Sequence, residues 1–134
     1  MNELSYGQDN ILYNGQGPSP NFWRAPTDND FGNNLQKRCQ VWRYATKNRY
    51  LRTISASMKG NNAEVTVLYD LKDENQKNIA AFQIVYSFAG DGTITVQNEY
   101  NKLLTDLPET PRIGLNFQIS KSFDQMTWYG KGPL

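Results

Sequence analysis

The sequence predicts an all-β fold, an antiparallel sandwich with one short helix near 33–45. Three observations carry that reading. From Tyr50 onward, apolar and polar residues alternate with period two, the spacing that puts one face of a strand on a core and the other in solvent. Glycine- and asparagine-rich turns interrupt the alternation at regular intervals. Helical spacing occurs in one stretch only, Asn33 to Ala45.

Taken in order, Leu4 to Tyr13 suits a short hairpin with Gly7 or Asp9-Asn10 near its bend. Gly15 to Pro20 is a Gly/Pro/Ser segment and reads as an irregular surface loop. In the Asn33–Ala45 stretch, Leu35, Cys39 and Trp42 fall at i, i+4 and i+7, and Asn33 or Asn34 can cap the first turn. This helix is expected at an edge or end of the sheets. Tyr50 to Lys59 is a strand that stops at Gly60-Asn61-Asn62, and Ala63 to Leu71 answers it with Val65, Val67 and Tyr69 on one face. After a charged loop, Phe82, Ile84, Tyr86 and Phe88 alternate with Gln83, Val85 and Ser87. Gly90-Asp91-Gly92 turns the chain into Ile94, Val96, Asn98 and Tyr100. Leu103 to Pro111 holds two prolines, which disfavour a central strand. Ile113, Leu115, Phe117 and Ile119 predict a further half-buried strand, and Met126 to Tyr129 the start of another, with Trp128 in the core.

Composition narrows the function. The 134 residues fit one domain, 1–134, with 38% hydrophobic and 20% charged residues, values of a globular chain. A net charge of +1 gives no electrostatic footprint for nucleic acid or an anionic membrane. No run approaches the ~18 apolar residues of a membrane span, and Met1 to Leu4 has no signal-peptide pattern. There is no histidine, which excludes a Ser-His-Asp triad and any His-ligated metal. The single cysteine, Cys39, permits no intrachain disulfide and suits a small buried hydrophobe.

The segment Asn21-Phe22-Trp23-Arg24-Ala25-Pro26-Thr27-Asp28-Asn29-Asp30-Phe31-Gly32 is the most particular in the chain. Its residue types suit a structural knot: Arg24 pairing with Asp28 or Asp30, Asx residues holding tight turns, and Gly32 supplying a positive φ. Asp28 and Asp30 share the spacing of calcium-loop ligands, but no bidentate glutamate follows at the required distance, so no metal is assigned. Glu3, Glu64, Glu74, Glu99 and Glu109 fall in turns or on polar strand faces, and nothing pairs two of them as glycoside hydrolysis requires.

The same twelve residues resemble the opening signature of the C-terminal small-chain domain of β-galactosidases in glycoside hydrolase family 2. Pro111-Arg112-Ile113-Gly114-Leu115 resembles a later strand motif of that domain, and Trp128-Tyr129-Gly130-Lys131-Gly132-Pro133 the first half of a motif that continues into Glu-Asn-Tyr. The three motifs stand in family order and span nearly the whole chain. The resemblance implies a supersandwich similar to galactose mutarotase and other aldose epimerases, here truncated before the later half of the domain. It implies a retaining β-galactosidase as parent, hydrolysing terminal β-D-galactosides with two carboxylates on a separate (β/α)8 barrel. This chain would buttress that barrel and shape the substrate entrance, and would be inactive alone. Asp28, Asn29, Asp30, Gly32 and Asn33 match the start of a mobile loop at that entrance, with Gly32 as hinge, while Trp23 and Arg24 are structural. The segment between Gly32 and Trp42 is shorter than in the longest relatives.

The expected partners are therefore the barrel and other domains of the parent, and its galactoside substrate, with no nucleic acid and no membrane. The isolated piece is expected to self-associate through an uncovered face. No cofactor is expected in this chain, and Mg or Na would belong to the parent's barrel site. The parent's compartment, cytoplasmic or periplasmic and secreted, is left open. An epimerase reading lacks its histidine acid. The alternative is a free-standing carbohydrate-binding module of β-sandwich fold, for which Trp23 is the one tryptophan in a loop context.

Overall fold

The computed structural model describes Met1 and residues 3–130. The chain divides into two compact units, Met1–Ser19 with Leu115–Leu134, and Pro20–Gly114. Its elements run β1 (Ser5–Tyr6), β2 (Asp9–Asn10), β3 (Ser19–Asn21), α1 (Asp28–Gly32), α2 (Leu35–Arg38), α3 (Gln40–Lys47), β4 (Arg49–Lys59), β5 (Asn62–Lys72), β6 (Asn78–Phe88), β7 (Ile94–Lys102) and β8 (Gly114–Asn116).

In the first unit, β1 and β2 form a two-residue hairpin ladder, Ser5 opposite Asn10 and Tyr6 opposite Asp9. Gly7 takes φ +63° at the bend, where a Cβ would be strained. Leu12 is buried and bridges Ile119. Backbone bonds from Tyr13 N–H to Gln118 O (3.0 Å) and from Ser120 N–H to Ile11 O (2.8 Å) hold the two ends of the chain together.

The second unit is built on a four-stranded antiparallel sheet in the order β4-β5-β6-β7. Short connections make each strand pair with its sequence neighbour. The β4–β5 turn needs only Gly60 and Asn61 between the partners Lys59 and Asn62, with Gly60 at φ +61°. At the β6–β7 turn Asp91 Oδ1 accepts the Thr93 N–H at 2.9 Å. The alternation read from the sequence becomes two faces. Val67, Leu71, Ala80, Phe82, Ile84 and Tyr86 are buried on one face, while Thr66, Gln83, Gln97 and Glu99 lie on the other. Helix α3 covers one end of the apolar face, and the fully buried Trp42 meets the Tyr100 ring at 5.8 Å. The Trp42 Nε1–H donates to Pro108 O at 3.2 Å, so the buried indole is satisfied.

The all-β class and the antiparallel sheet, consistent with a sandwich, are those the sequence predicts. Three expectations are corrected. The single helix at 33–45 is two, α2 and α3, preceded by a further turn α1. Asn34 stands at φ +61°, a left-handed conformation that cannot propagate a helix. Cys39 ends α2 and begins α3 at φ −104°, ψ 12°, close enough to helical values that Leu35, Cys39 and Trp42 still share one buried stripe. The strand expected over Ile113–Ile119 is regular only in β8. Ile113 and Phe117 are exposed, because β-propensity needs a face to pack on. Met126–Tyr129 forms no strand, and Trp128 is 63% exposed instead of lying in a core. Residues 131–134, which hold the end of the Trp128–Pro133 motif, lie outside the described residues.

Candidate functional site

The site is the Asn21–Asn33 segment, and its position follows from three anchors. Asn21 is buried, and its Oδ1 accepts the Trp23 N–H at 3.0 Å, an Asx contact that fixes the backbone just past β3. Phe22 is fully buried, with ring centroids 5.4 Å from Phe82, 5.3 Å from Tyr100 and 6.2 Å from Trp42. Its N–H donates to Thr46 Oγ1 at 3.0 Å, and that hydroxyl donates to Trp42 O at 2.9 Å. The segment is thus riveted to α3 and to the sheet by one aromatic cluster and one hydroxyl relay.

Beyond Phe22 the chain is tied by charge. Arg24 forms a bidentate pair with Asp30: Nη2 donates to Oδ1 at 2.9 Å and Nη1 to Oδ2. Arg24 Nη1 also reaches Ala25 O at 3.3 Å. Asp30 Oδ2 accepts the Thr27 N–H at 2.8 Å and the Thr27 hydroxyl at 3.0 Å, which places Asp30 as the acidic partner of a capping box at the start of α1. With so many donors favouring its charged form, the Asp30 carboxyl is lowered to about 2. The Arg24 guanidinium bonds contribute most, and the Thr27 N–H next.

The structure separates the residues expected to act together. Of Asp28 and Asp30, Asp30 is the partner of Arg24 and is 5% exposed, whereas Asp28 and Asn29 face solvent. Gly32 ends α1, has no positive φ, and has open space where a Cβ would stand. The positive φ expected of it belongs to Asn34 instead, because the chain reverses one residue past the α1 cap. Residues 28–32 are a helical turn rather than the expected loop. Asn33 caps α1 and is held in turn by Arg38, whose Nε donates to Asn33 O at 3.1 Å and whose Nη1 donates to Glu109 Oε1 at 2.6 Å. That bridge holds the Glu109 carboxyl below its ordinary value.

Two parts of this arrangement escaped the sequence reading. Phe22 as the aromatic anchor carries no local signal, since its partners lie on α3, β6 and β7. The Thr27-x-x-Asp30 box was visible as a pattern and would have chosen Asp30 over Asp28. Trp23, by contrast with Phe22 and Trp42, is only half-buried and opens onto a cleft with Pro26, Gln36, Lys37, Gln40 and Arg43.

The carboxylates are dispersed. Glu64 faces Lys59 at 3.7 Å, Glu109 faces Arg38, Glu99 accepts from the Asn101 amide and Glu3 from the Ser5 hydroxyl. Among the described residues no group of three or more Asp, Glu or Cys side chains could hold a metal. No helix of the described residues is long and apolar enough to cross a membrane. Cys39 is fully buried, and burial pushes its thiol up, so it is not a poised nucleophile.

The family model described as beta galactosidase small chain matches residues 1–134. A beta-galactosidase of Priestia megaterium is 34% identical over 130 residues, covering 97% of this chain. One of Clostridium acetobutylicum is 34% identical over 116 residues (87% of the chain), and one of Pseudoalteromonas haloplanktis 33% over 124 residues (85%). The chain spans about 12% of the length of each of these relatives. The chain belongs to the beta-galactosidase small chain family.

Proposed function

We propose that the chain serves as a non-catalytic domain of a larger retaining β-galactosidase, one that hydrolyses terminal β-D-galactosides. The family match over residues 1–134, against relatives of which the chain spans about 12%, is the observation that carries this reading. The dispersed carboxylates agree with it, since hydrolysis with retention needs two of them about 5 Å apart across the bond. In the parent, those two groups sit on a (β/α)8 barrel, along with any Mg or Na the reaction uses. This domain buttresses the barrel and shapes the substrate entrance with Asp28, Asn29, Asp30, Gly32 and Asn33. The Arg24–Asp30 pair gives that segment a fixed base.

The sheet supplies a place for such packing. Beyond the end covered by α3, its apolar face presents Ile54 and Met58 of β4 and Ile94 and Val96 of β7, all exposed. A row of this kind marks an interface, and the remaining domains of the parent fill it. The test is hydrolysis of a chromogenic β-galactoside by the purified chain and by the parent polypeptide. The parent turns over and the chain does not. Turnover by the chain alone, retained after an affinity step that removes contaminating enzyme, overturns the proposal.

A further inference from the structure

The cleft beside Trp23 has a volume of about 390 Å³. We infer that it is a binding site for an acidic sugar, a pyranose carrying a carboxylate or phosphate, held by Trp23, Arg43 and Lys37. The inference rests on this chain's own residues and not on the proposed galactosidase activity.

Three features point the same way. First, Trp23 is spared from the core. Its neighbour Phe22 is fully buried and so is Trp42, yet Trp23 keeps part of its surface open to the cleft beside Pro26. An indole face next to a proline ring is a flat apolar platform, and its π-face attracts the C–H edge of a sugar ring. Second, the rest of the lining is polar and able to bond hydroxyls: the Gln36 amide lines it, and so does the Gln40 amide, whose Nε2 also donates to the Tyr44 hydroxyl at 3.2 Å. Third, the charge is one-sided. Lys37 and Arg43 line the cleft with no carboxylate among its residues. Neither cation has a salt-bridge partner among the described residues, whereas Arg24, Arg38 and Arg52 each have one. A guanidinium without a protein partner presents its fork to a planar anion.

The site is also held in shape before any ligand arrives. The Asn21 side chain fixes the Trp23 backbone, and the Arg24–Asp30–Thr27 bonds close the short loop that carries Pro26. A wall fixed in advance costs less ordering on binding.

The probes are galacturonate, galactose 6-phosphate, inorganic phosphate and galactose, titrated calorimetrically into the chain. Both acidic sugars are expected to bind about tenfold more tightly than galactose, the gain of a charge-assisted contact. Arg43→Gln, an exposed change, should reduce them to the level of galactose, and Trp23→Ala should abolish heat from all the sugars. The tighter of the two acidic sugars identifies the anion as carboxylate or phosphate. Equal binding of acidic and neutral sugars, inorganic phosphate binding as tightly as the sugar phosphate, an undiminished response in either variant, or no heat from any probe overturns the inference. None of these outcomes bears on hydrolysis by the parent, so the two readings fail separately.

Discussion

Asp30 collects donors from Arg24 and from both the backbone and hydroxyl of Thr27, and that concentration makes it the residue on which the site's stability turns. Arg24→Ala leaves the buried carboxylate without its fork, and the melting midpoint should fall by about 5 °C in a thermal scan. Arg24→Lys should recover only part of that loss, because an ammonium cannot match the two oxygens together. An unchanged midpoint for Arg24→Ala would show that the pair contributes nothing. The pH dependence has a definite sign. Asp30 is depressed from 3.8 to about 2 in the folded chain, so its contribution is complete above about pH 4 and is lost as pH falls through about 2. Acid titration followed by circular dichroism should show this loss in the wild type and a flatter profile in Arg24→Ala. At this scale the sequence was half legible. Arg24 as an ion-pair residue followed from its neighbours, but the choice between Asp28 and Asp30 depended on Thr27 starting a helix at that point. Phe22 could not be read at all, since its value comes from Phe82 and Tyr100, far along the chain.

The elements show which local signals are sufficient. Strands β4 to β7 were readable because each alternates and each is bounded by a polar connection: Gly60-Asn61 after β4, the charged loop 73–77 after β5, and Gly90-Asp91-Gly92 after β6. The helix stripe was readable, but its bounds were not: the periodicity of Leu35, Cys39 and Trp42 survives one interruption, at Cys39, and its start is set by the left-handed Asn34. Asn34→Val should therefore destabilise the chain by about 1–2 kcal/mol in denaturant melts, since a β-branched residue resists φ +61°. An unperturbed denaturation midpoint would mean that the turn relaxes to another conformation. Trp42 links α3 to the sheet through Phe22 and Tyr100. Trp42→Ala should cost about 3–5 kcal/mol, the range for emptying a fully buried aromatic site. On β6, burial pushes the Tyr86 hydroxyl up to about 12. The stability tied to its neutral form is present below about pH 10 and is lost as pH rises through about 12, and Tyr86→Phe should remove that alkaline step. The strand expected at 113–119 shortened to β8 and the one at 126–129 did not form for the opposite reason: Ile113, Phe117 and Trp128 found nothing to cover them.

At the scale of the whole molecule, what the alternation could not say is what lies over the apolar face. Ile54 and Met58 are 63% and 69% exposed on a strand whose outer edge has no partner within the four-stranded sheet. An open edge with an apolar row drives association, so the isolated chain should self-associate in sedimentation at micromolar concentration. Met58→Glu should shift it to monomer without lowering its melting midpoint, and a wild-type chain that sediments as monomer would argue that the face is tolerated in water. In the larger enzyme proposed here the same row is covered by other domains. That placement rests on family membership and on the 12% of each relative's length that the chain spans. The measurement that tests it most directly is the mass of the native polypeptide in source cells, detected with an antibody raised against this chain. A band several times heavier than 15.4 kDa is expected, whereas a band at the chain's own mass would rule out the larger enzyme.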